Sequence, residues 1–289
     1  MKKYRLSIII VTFNSQNYIE KCLNSIAKSN LRSIEHNIVI VDNNSNDNTV
    51  KVVKELQKKN DAIFLIENQN NTGFAKAANQ GILKSKNRDY VLLLNPDTLL
   101  ENDSLIRLIN CSEKHNAGIC GGTTIDSQGN ASGSYFRFPN LMVGIFDFTN
   151  FRKIRKDDKW HNYFYYLDSK IEDDSFPVDV VTGGYMLIRL STIKKIGLLS
   201  ESFFMYLEDV DYCFRSKKGG IKIYHDCTSI ILHVGGASSN NKDRIRYSSW
   251  LQSRKIYFLK HFGFFENILI QPIFLLDDLL ILTRKTFKL

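Results

Sequence analysis

The sequence predicts an α/β protein: a doubly wound, mostly parallel sheet flanked by helices, with a small C-terminal helical tail. Three observations point there. Short β-branched apolar runs alternate with helical stripes up to residue 115. The runs are continuously apolar, as expected for strands covered on both faces. Several end in Asp- and Asn-rich segments, the edge at which open parallel sheets hold ligands.

Leu6–Phe13 is the first such run and reads as a strand. After the polar turn Asn14–Asn17, Ile19, Cys22, Leu23, Ile26 and Ala27 share one helix face. Asn37–Val41, Ala62–Ile66 and Tyr90–Leu94 repeat the strand pattern. Thr49–Lys58, Phe74–Lys84 and Asp103–Lys114 repeat the helix, the last with Leu105, Leu108 and Ile109 inward. Beyond Gly118 the regularity changes. Gly121-Gly122 and Asp126–Gly129 read as turns, the second joining two short strands. Asn140–Asp174 is aromatic, mixed in charge and without a period, and reads as an insertion or long loop over a pocket. Val178–Thr182 and Tyr185–Arg189 are strands around Gly183-Gly184. Leu207–Lys217 is a helix stopped by Gly219-Gly220. Ile221–His225 and Thr228–Leu232 are short strands, and Tyr247–His261 is a helix. With no repeat and no Pro/Ser linker, the chain divides into one compact domain over 1–240 and a helical segment over 241–289.

Hydrophobic residues make up 43% of the 289, enough for a sizeable core and too many for a disordered chain. Five cysteines (Cys22, Cys111, Cys120, Cys213, Cys227) include no C-x-x-C pair, which argues against a disulfide framework or a cysteine zinc site and for a reducing cytoplasm. Leu6–Val11 behind basic residues mimics a secretory signal. It is short and lacks a small-residue cleavage site, so a buried strand explains it better. Phe264–Leu282 carries Glu266, Asp277 and Asp278, too many charges for a membrane span.

The net charge of +9 is compatible with nucleic acid, anionic lipid or a solvated surface. No zinc finger, RNP-like strand or long basic helix supports nucleic acid. Basic residues gather instead near the C-terminus (Arg246, Arg254, Lys255, Lys260, Arg284, Lys285), interleaved with Tyr257, Phe258, Phe262, Phe264 and Phe265. Two readings stay open: a helix pair lying on an anionic membrane, or helices packed on the domain or on a second subunit.

Asp42 and Asp97 each follow a buried strand, a placement that favours function, whereas Asn43, Asn44, Asn46 and Asn48 read as turn formers. The first strand is followed by no G-x-G-x-x-G, and the chain has no Walker sequence. A bound nucleotide would need another device for its diphosphate, and a carboxylate-held divalent cation, Mg²⁺ or Mn²⁺, is the usual one. Glu208-Asp209-Val210-Asp211 puts three acids within four residues, close enough to raise at least one pKa. Asp211 and Arg215 are i, i+4 helix partners. The competing reading of the cluster is an exposed acidic helix start favoured by the helix dipole. Cys213 and Cys227 read as small buried hydrophobes.

Together, Ser7–Asn14, Ile40–Ser45, Asn71–Phe74 with Asn79, Leu94-Asn-Pro-Asp97, Thr182-Gly-Gly184, Phe203–Asp211 with Arg215, and His233 resemble the family 2 glycosyltransferases. More narrowly, they resemble bacterial rhamnosyltransferase-like members with Asn-Pro-Asp in place of Asp-x-Asp. The likeness spans roughly residues 5 to 240. It implies a GT-A fold with a Rossmann-like sheet, a nucleotide-binding half over 1–115, and an acceptor-binding and catalytic half over 116–240.

The resemblance also implies roles. Asp42 would accept the N–H of a uracil or thymine ring, and Thr12, Phe13 and Asn14 would line base and ribose. Gly73 would let backbone pass close to the nucleotide, with Phe74 and Asn79 positioning that turn. Asn95 and Asp97 would occupy the metal signature, with Asn95 a neutral donor that weakens the site. Asp97 and His233 would face the diphosphate as metal ligands, a structural histidine being the alternative for His233. Asp209 would be the general base, and Gly184, Glu208, Asp211 and Arg215 would support the base or acceptor, with plain turn geometry the alternative for Gly184. The implied reaction is inverting transfer of a sugar, L-rhamnose from dTDP-rhamnose as the first candidate, from a dTDP- or UDP-linked donor. The acceptor would be a saccharide or lipid-linked saccharide of O-antigen or capsule assembly, with the enzyme in the cytoplasm or peripheral on the cytoplasmic face of the inner membrane. A nucleotidyltransferase would want a glycine- and arginine-rich loop where Thr12–Asn17 stands, and a catalytically silent binding protein would be expected to have lost the acidic motif.

Overall fold

The computed structural model describes residues 3–85, 87–152, 158–234 and 240–286. Its first half follows the expected alternation: β1 (Tyr4–Thr12), α1 (Ile19–Lys28), β2 (Ile34–Asp42), α2 (Thr49–Gln57), β3 (Ile63–Glu67), α3 (Phe74–Lys84), β4 (Tyr90–Leu94), β5 (Thr98–Leu100) and α4 (Ser104–His115). The second half runs β6 (Ile119–Ile125), β7 (Ala131–Ser132), β8 (Tyr135–Phe136), α5 (Leu141–Phe146), α6 (Lys159–Phe164), β9 (Ser175–Pro177), β10 (Val180–Val181) and β11 (Tyr185–Arg189). It continues with α7 (Leu190–Ile196), α8 (Glu208–Lys218), β12 (Ile223–His233), α9 (Asn240–His261) and α10 (Phe264–Thr286).

The main sheet has strand order β3-β2-β1-β4-β11-β6-β12-β5, with β7 and β9 joined to β6 and β12. β1, β2, β3 and β4 are mutually parallel, while β11 runs antiparallel between β4 and β6. β1 to β4 thus form the parallel sheet expected, whereas β5, a strand the sequence reading did not foresee, lies at the far edge antiparallel to β12, and the second half is mixed. This register assembles the cleft. Thr12 is paired with Asp42, Leu94 with Tyr185, and Thr98 with His233, so segments far apart in sequence finish at one edge.

Alternate residues of β1 feed two cores. Leu6, Ile8 and Ile10 pack with Ile19, Cys22, Leu23, Val53 and Leu108 on one side of the sheet. Ile9 and Val39 pack with Ala75, Ala78, Ile82 and the C-terminal aromatics on the other. Each such side chain contributes roughly 1.5–3 kcal/mol by leaving water, and the buried polar positions of β1 and β2 are few: Ser7, Asn37, and Thr12 and Asp42 at the strand ends.

Several expectations are corrected. Gly121-Gly122 is not a turn but lies inside β6. A Cβ on Gly121 would sit 2.5 Å from Val181 Cβ, and one on Gly122 would sit 2.3 Å from the Ser229 carbonyl, so glycine here serves close packing between elements. The segment 140–174 contains α5 and α6. Asn140 caps α5 by accepting from the Val143 amide at 2.9 Å, and Phe164 of α6 stacks on Phe136. The two strands expected over 221–232 are one strand, β12, with a register shift between Asp226 and Ile230. Asp226 Oδ1 accepts from both the amide and the hydroxyl of Thr228 there. The turn at Asp126–Gly129 is present, and all five cysteines are free thiols.

α9 is packed into the domain. Tyr257 and Phe258 are fully buried, and Trp250 meets Phe148 edge-to-face. Arg254, also buried, is held by Asp277 and Asp278 of α10. The opposite face of α10 exposes Phe264, Phe265, Ile268, Leu269, Leu275, Leu276, Leu279 and Leu280. Among the described residues no helix is long and apolar enough to cross a membrane.

Candidate active site

Two adjoining cavities open along the strand-end edge. The first, about 310 Å³, is lined by the ends of β1, β2 and β4: Phe13, Asn14, Asn43, Asn95 and Asp97, with Gly73 and His233. The second, about 560 Å³, is lined by Gly183, Gly184, Glu208 and Asp209, with an aromatic wall of Phe136, Phe164, Tyr165, Tyr206 and Trp250. Phe74, Asn95, Met205, His233 and Arg246 belong to both. Asp97 and Asp209, 112 positions apart in sequence, therefore face one continuous cleft.

In the first cavity the predicted residues divide into lining and bracing. Thr12 and Asp42 are buried and do not line the cavity. Thr12 Oγ1 donates to Asp42 Oδ1 at 2.8 Å, and Ser45 donates to the same carboxylate through its hydroxyl at 2.6 Å and its amide at 2.8 Å. A carboxylate so engaged fixes the loop after β2. Asn14 takes φ 52° and accepts from the Asn46 amide at 2.8 Å, tying the loop after β1 to it. Gly73 has φ 83°, and a Cβ there would strike the Phe204 carbonyl at 2.4 Å. The close approach it permits is to the 203–207 loop, where Phe74 N donates to Phe204 O at 2.7 Å. Asn79 is buried and bridges to Leu199 through both ends of its amide, a positioning role.

Asp97 and His233 come together: Nε2 of the histidine lies 3.0 Å from Asp97 Oδ2. Their side chains are 26% and 35% exposed, so both reach the cavity. The Asp97 hydrogen bond raises the His233 pKa, against burial and the nearby Arg246 charge. Asn95 is fixed through its backbone, its amide donating to Gly184 O at 2.9 Å. A Cβ on Gly184 would meet Asn95 Nδ2 at 2.8 Å, so Gly184 makes room for that side chain. Among the described residues no group of three His, Cys, Asp or Glu side chains could hold a metal.

The acidic motif opens α8. Tyr206 and Leu207, immediately before it, both adopt left-handed backbone (φ 73° and 64°), a costly pair for non-glycine residues. This turn aims Asp209 at Gly183, whose amide donates to Oδ2 at 2.9 Å, while the Val210 amide donates to Oδ1 at 2.8 Å. Burial raises the Asp209 pKa against those bonds. Burial, and then the Asp209 charge, push Glu208 well above the usual carboxylate range, and its Oε2 has no hydrogen-bond partner among the described residues. Asp211 points away from both cavities. Burial alone would raise it, but bonds from His261, Lys260 and Arg215 prevail and hold it down to about 2. Arg215 donates to it from Nε at 2.8 Å, the i, i+4 pair expected, and also donates to the Leu198 carbonyl.

Sequence reasoning missed four contributors. Asn43, read as a turn former, is buried and donates to Gly73 O at 3.1 Å while accepting from Asn68 and Thr72. Tyr206, inside the Phe203–Asp211 motif but assigned no role from it, and Trp250 and Arg246 of α9, which no local spacing marks, also reach the cleft.

The model of the family described as "Glycosyl transferase family 2" matches residues 7–197. A low-salt glycan biosynthesis hexosyltransferase of Haloferax volcanii is 29% identical over 75% of this chain and 63% of its own length. An N-acetylglucosaminyl-diphospho-decaprenol L-rhamnosyltransferase of Mycobacterium tuberculosis is 24% identical over 82% of this chain and 78% of its own. Among solved structures, a mannosyltransferase from Pyrobaculum calidifontis, in complex with GDP-Man and Mn²⁺, superposes with a TM-score of 0.62. It is 14% identical, and the match covers 91% of this chain and 66% of that one.

Proposed function

Because the chain belongs to glycosyl transferase family 2 and is a glycosyltransferase of GT-A fold, we propose that it transfers a sugar with inversion from a dTDP- or UDP-linked donor to a saccharide or lipid-linked acceptor. The proposed setting is cell-surface polysaccharide assembly, O-antigen or capsule. The first donor to test is dTDP-L-rhamnose, which the Asn-Pro-Asp sequence and the mycobacterial relative support. One observation carries the reading: the cavity holding Asp97 and the cavity holding Asp209 share walls, so a donor in one presents its sugar to an acceptor in the other.

In this reading the nucleotide lies along the ends of β1, β2 and β4, and the acceptor sugar stacks on the aromatic wall of Tyr206 and Trp250. Asp209 takes the proton of the acceptor hydroxyl as that oxygen bonds to the anomeric carbon. The bond from that carbon to the diphosphate oxygen breaks on the far side, and its electron pair leaves with the diphosphate. Two backbone amides fix the Asp209 carboxylate, and burial makes it a better proton acceptor than an exposed aspartate. Burial, and then the Asp209 charge, raise the Glu208 pKa and so favour its neutral form beside the base.

Asp97 and His233 fit a divalent cation, Mg²⁺ or Mn²⁺. Both are half-open to the cavity, and such ions keep waters and phosphate oxygens as their remaining ligands. When bound, the ion would offset charge on the departing diphosphate. The Mn²⁺ in the Pyrobaculum structure supports this. The free thiols suit a reducing cytoplasm, and the exposed apolar face of α10 supports peripheral contact with the inner membrane.

The test offers the protein UDP- and dTDP-sugars with lipid-linked saccharide acceptors, with and without Mn²⁺. Release of nucleoside diphosphate with one donor is expected. Pyrophosphate released from a nucleoside triphosphate and a sugar phosphate would replace the reading with nucleotidyl transfer.

A further inference from the structure

The cation complement of the cleft does not match its task. A departing diphosphate carries at least two negative charges, yet the signature that would bring two carboxylates to a metal here brings Asp97 and a neutral Asn95. His233, which lines both cavities, is already turned to Asp97 at 3.0 Å. Any metal held there has a thin protein shell.

A second source of positive charge stands opposite. Arg246 projects from α9, a helix outside the matched residues 7–197, and lines both cavities. It does so beside Asn95, Asp97 and His233, where the donor's diphosphate must lie if its base is in the first cavity and its sugar faces Asp209. Its Nε donates to the Tyr206 hydroxyl at 3.0 Å, which orients the guanidinium plane on the strained turn leading into α8. A guanidinium held in one plane suits a phosphate, because its parallel N–H groups meet two oxygens at once. Arg246 is also near enough to His233 to oppose that ring's protonation, which places it within electrostatic reach of the Asp97 pair.

Resting on the donor reading above, we propose that Arg246 is a diphosphate-binding residue. It receives the charge that develops on the leaving nucleoside diphosphate when the bond to the anomeric carbon breaks, in part replacing the missing second carboxylate–metal contact. The C-terminal helices therefore complete the donor site. Tyr206, which orients the arginine from the aromatic wall of the second cavity, links occupancy on the acceptor side to the cation on the donor side.

The experiment measures the affinities of the full chain for UDP, dTDP, uridine and thymidine, in EDTA and in Mn²⁺, for the wild type, Arg246→Ala, Arg246→Lys and Tyr206→Phe. Arg246→Ala should lose about tenfold or more in affinity for the preferred nucleoside diphosphate in EDTA while binding the nucleoside unchanged. It should also gain more from Mn²⁺ than the wild type does. Arg246→Lys should recover part of the loss, and Tyr206→Phe should show a smaller loss than the alanine variant. If Arg246→Ala binds diphosphate and nucleoside as the wild type does, the arginine only staples α9 to the loop and the proposal falls. If diphosphate and nucleoside weaken equally, the effect is structural and the proposal falls too. A wild type that binds no nucleoside diphosphate would overturn the donor reading itself, a result distinct from either.

Discussion

On the wall of the cleft built by β1, β2 and β4, the acids are partnered by side chains: Asp42 accepts from Thr12 and Ser45, and Asp97 faces His233. On the wall built by α8, Glu208 Oε2 lacks a partner among the described residues and Asp209 is held by two backbone amides, both under burial that raises their pKa. Both walls put acids beside the cleft, so the difference lies in what compensates the charge. The partnered acids have their oxygens already engaged by neighbouring side chains. Buried, under-partnered acids gain by taking a proton, which is the property a general base needs.

The comparison breaks most directly at Asp209. Asp209→Asn should lower turnover by roughly 10² to 10⁴ while leaving nucleoside diphosphate affinity unchanged, since the amide still accepts from Gly183 but takes up no proton. Turnover within a few fold of wild type would remove the base assignment. The wild-type pH profile should carry a matching sign. Only the ionised base works, and burial raises its pKa, so activity should rise with pH along a limb displaced above the ordinary aspartate range. A flat profile down to pH 4 would place the proton transfer elsewhere.

Asp211 sharpens the contrast because it sits in the same helical turn, fully buried, yet is held by Arg215, Lys260 and His261. Asp211→Asn should cost about 3 kcal/mol, as expected when a buried ion pair loses one member, and should lower the melting temperature without moving the acid limb of activity. The wild-type carboxyl, held down to about 2, contributes stability that is complete above its unfolded pKa near 4 and is lost as pH falls toward 2. The variant's stability should be flatter across that window. A variant melting with the wild type at pH 7 would show that Arg215, Lys260 and His261 find equivalent partners in water. On the other wall, Asp97→Asn should weaken Mn²⁺-assisted nucleotide binding by about 10- to 100-fold, with His233→Ala smaller and the double variant non-additive because the two groups touch. Additive losses measured by calorimetry would mean that the pair does not act as a unit.

What was legible in the sequence follows the same divide. The partnered wall rests on local periodicity: β-branched runs, helical stripes, and an aspartate at the end of the second strand and just beyond the fourth, so β1 to β4 and the placement of Asp42 and Asp97 could be read from neighbouring residues. Even there, Asp42 and Thr12 turned out to brace the pocket, because hydrogen-bond partners such as Ser45 are chosen by loop conformation rather than by spacing. In the second half, meaning depends on what a residue meets across the fold. Gly121-Gly122 has the composition of a turn and the surroundings of a crowded strand, which only the approach of Val181 and Ser229 reveals. Asn140 could have signalled the start of α5, since an asparagine ahead of an apolar run is a helix-cap signature. For Arg246 and Trp250 no such signal existed, because α9 reaches the cleft only through tertiary packing.

The two C-terminal helices carry the comparison to its mildest test. α9 buries Tyr257 and Phe258 completely, whereas Phe264 and Phe265 at the start of α10 are 74% and 82% exposed. Side chains that touch little when the chain is folded contribute little to folding, so Phe264→Ser with Phe265→Ser should change stability by no more than about 0.5 kcal/mol per site. Their exposure has a purpose if α10 rests on a bilayer, where each ring would leave water. The double variant should then sediment less with anionic vesicles while releasing nucleoside diphosphate from the donor normally when given a soluble acceptor. Unchanged sedimentation, together with a concentration-dependent mass in the wild type that the variant loses, would assign this face to a second copy of the chain instead. Either result would separate a helix face that completes the catalytic cleft from one that determines where the cleft is held.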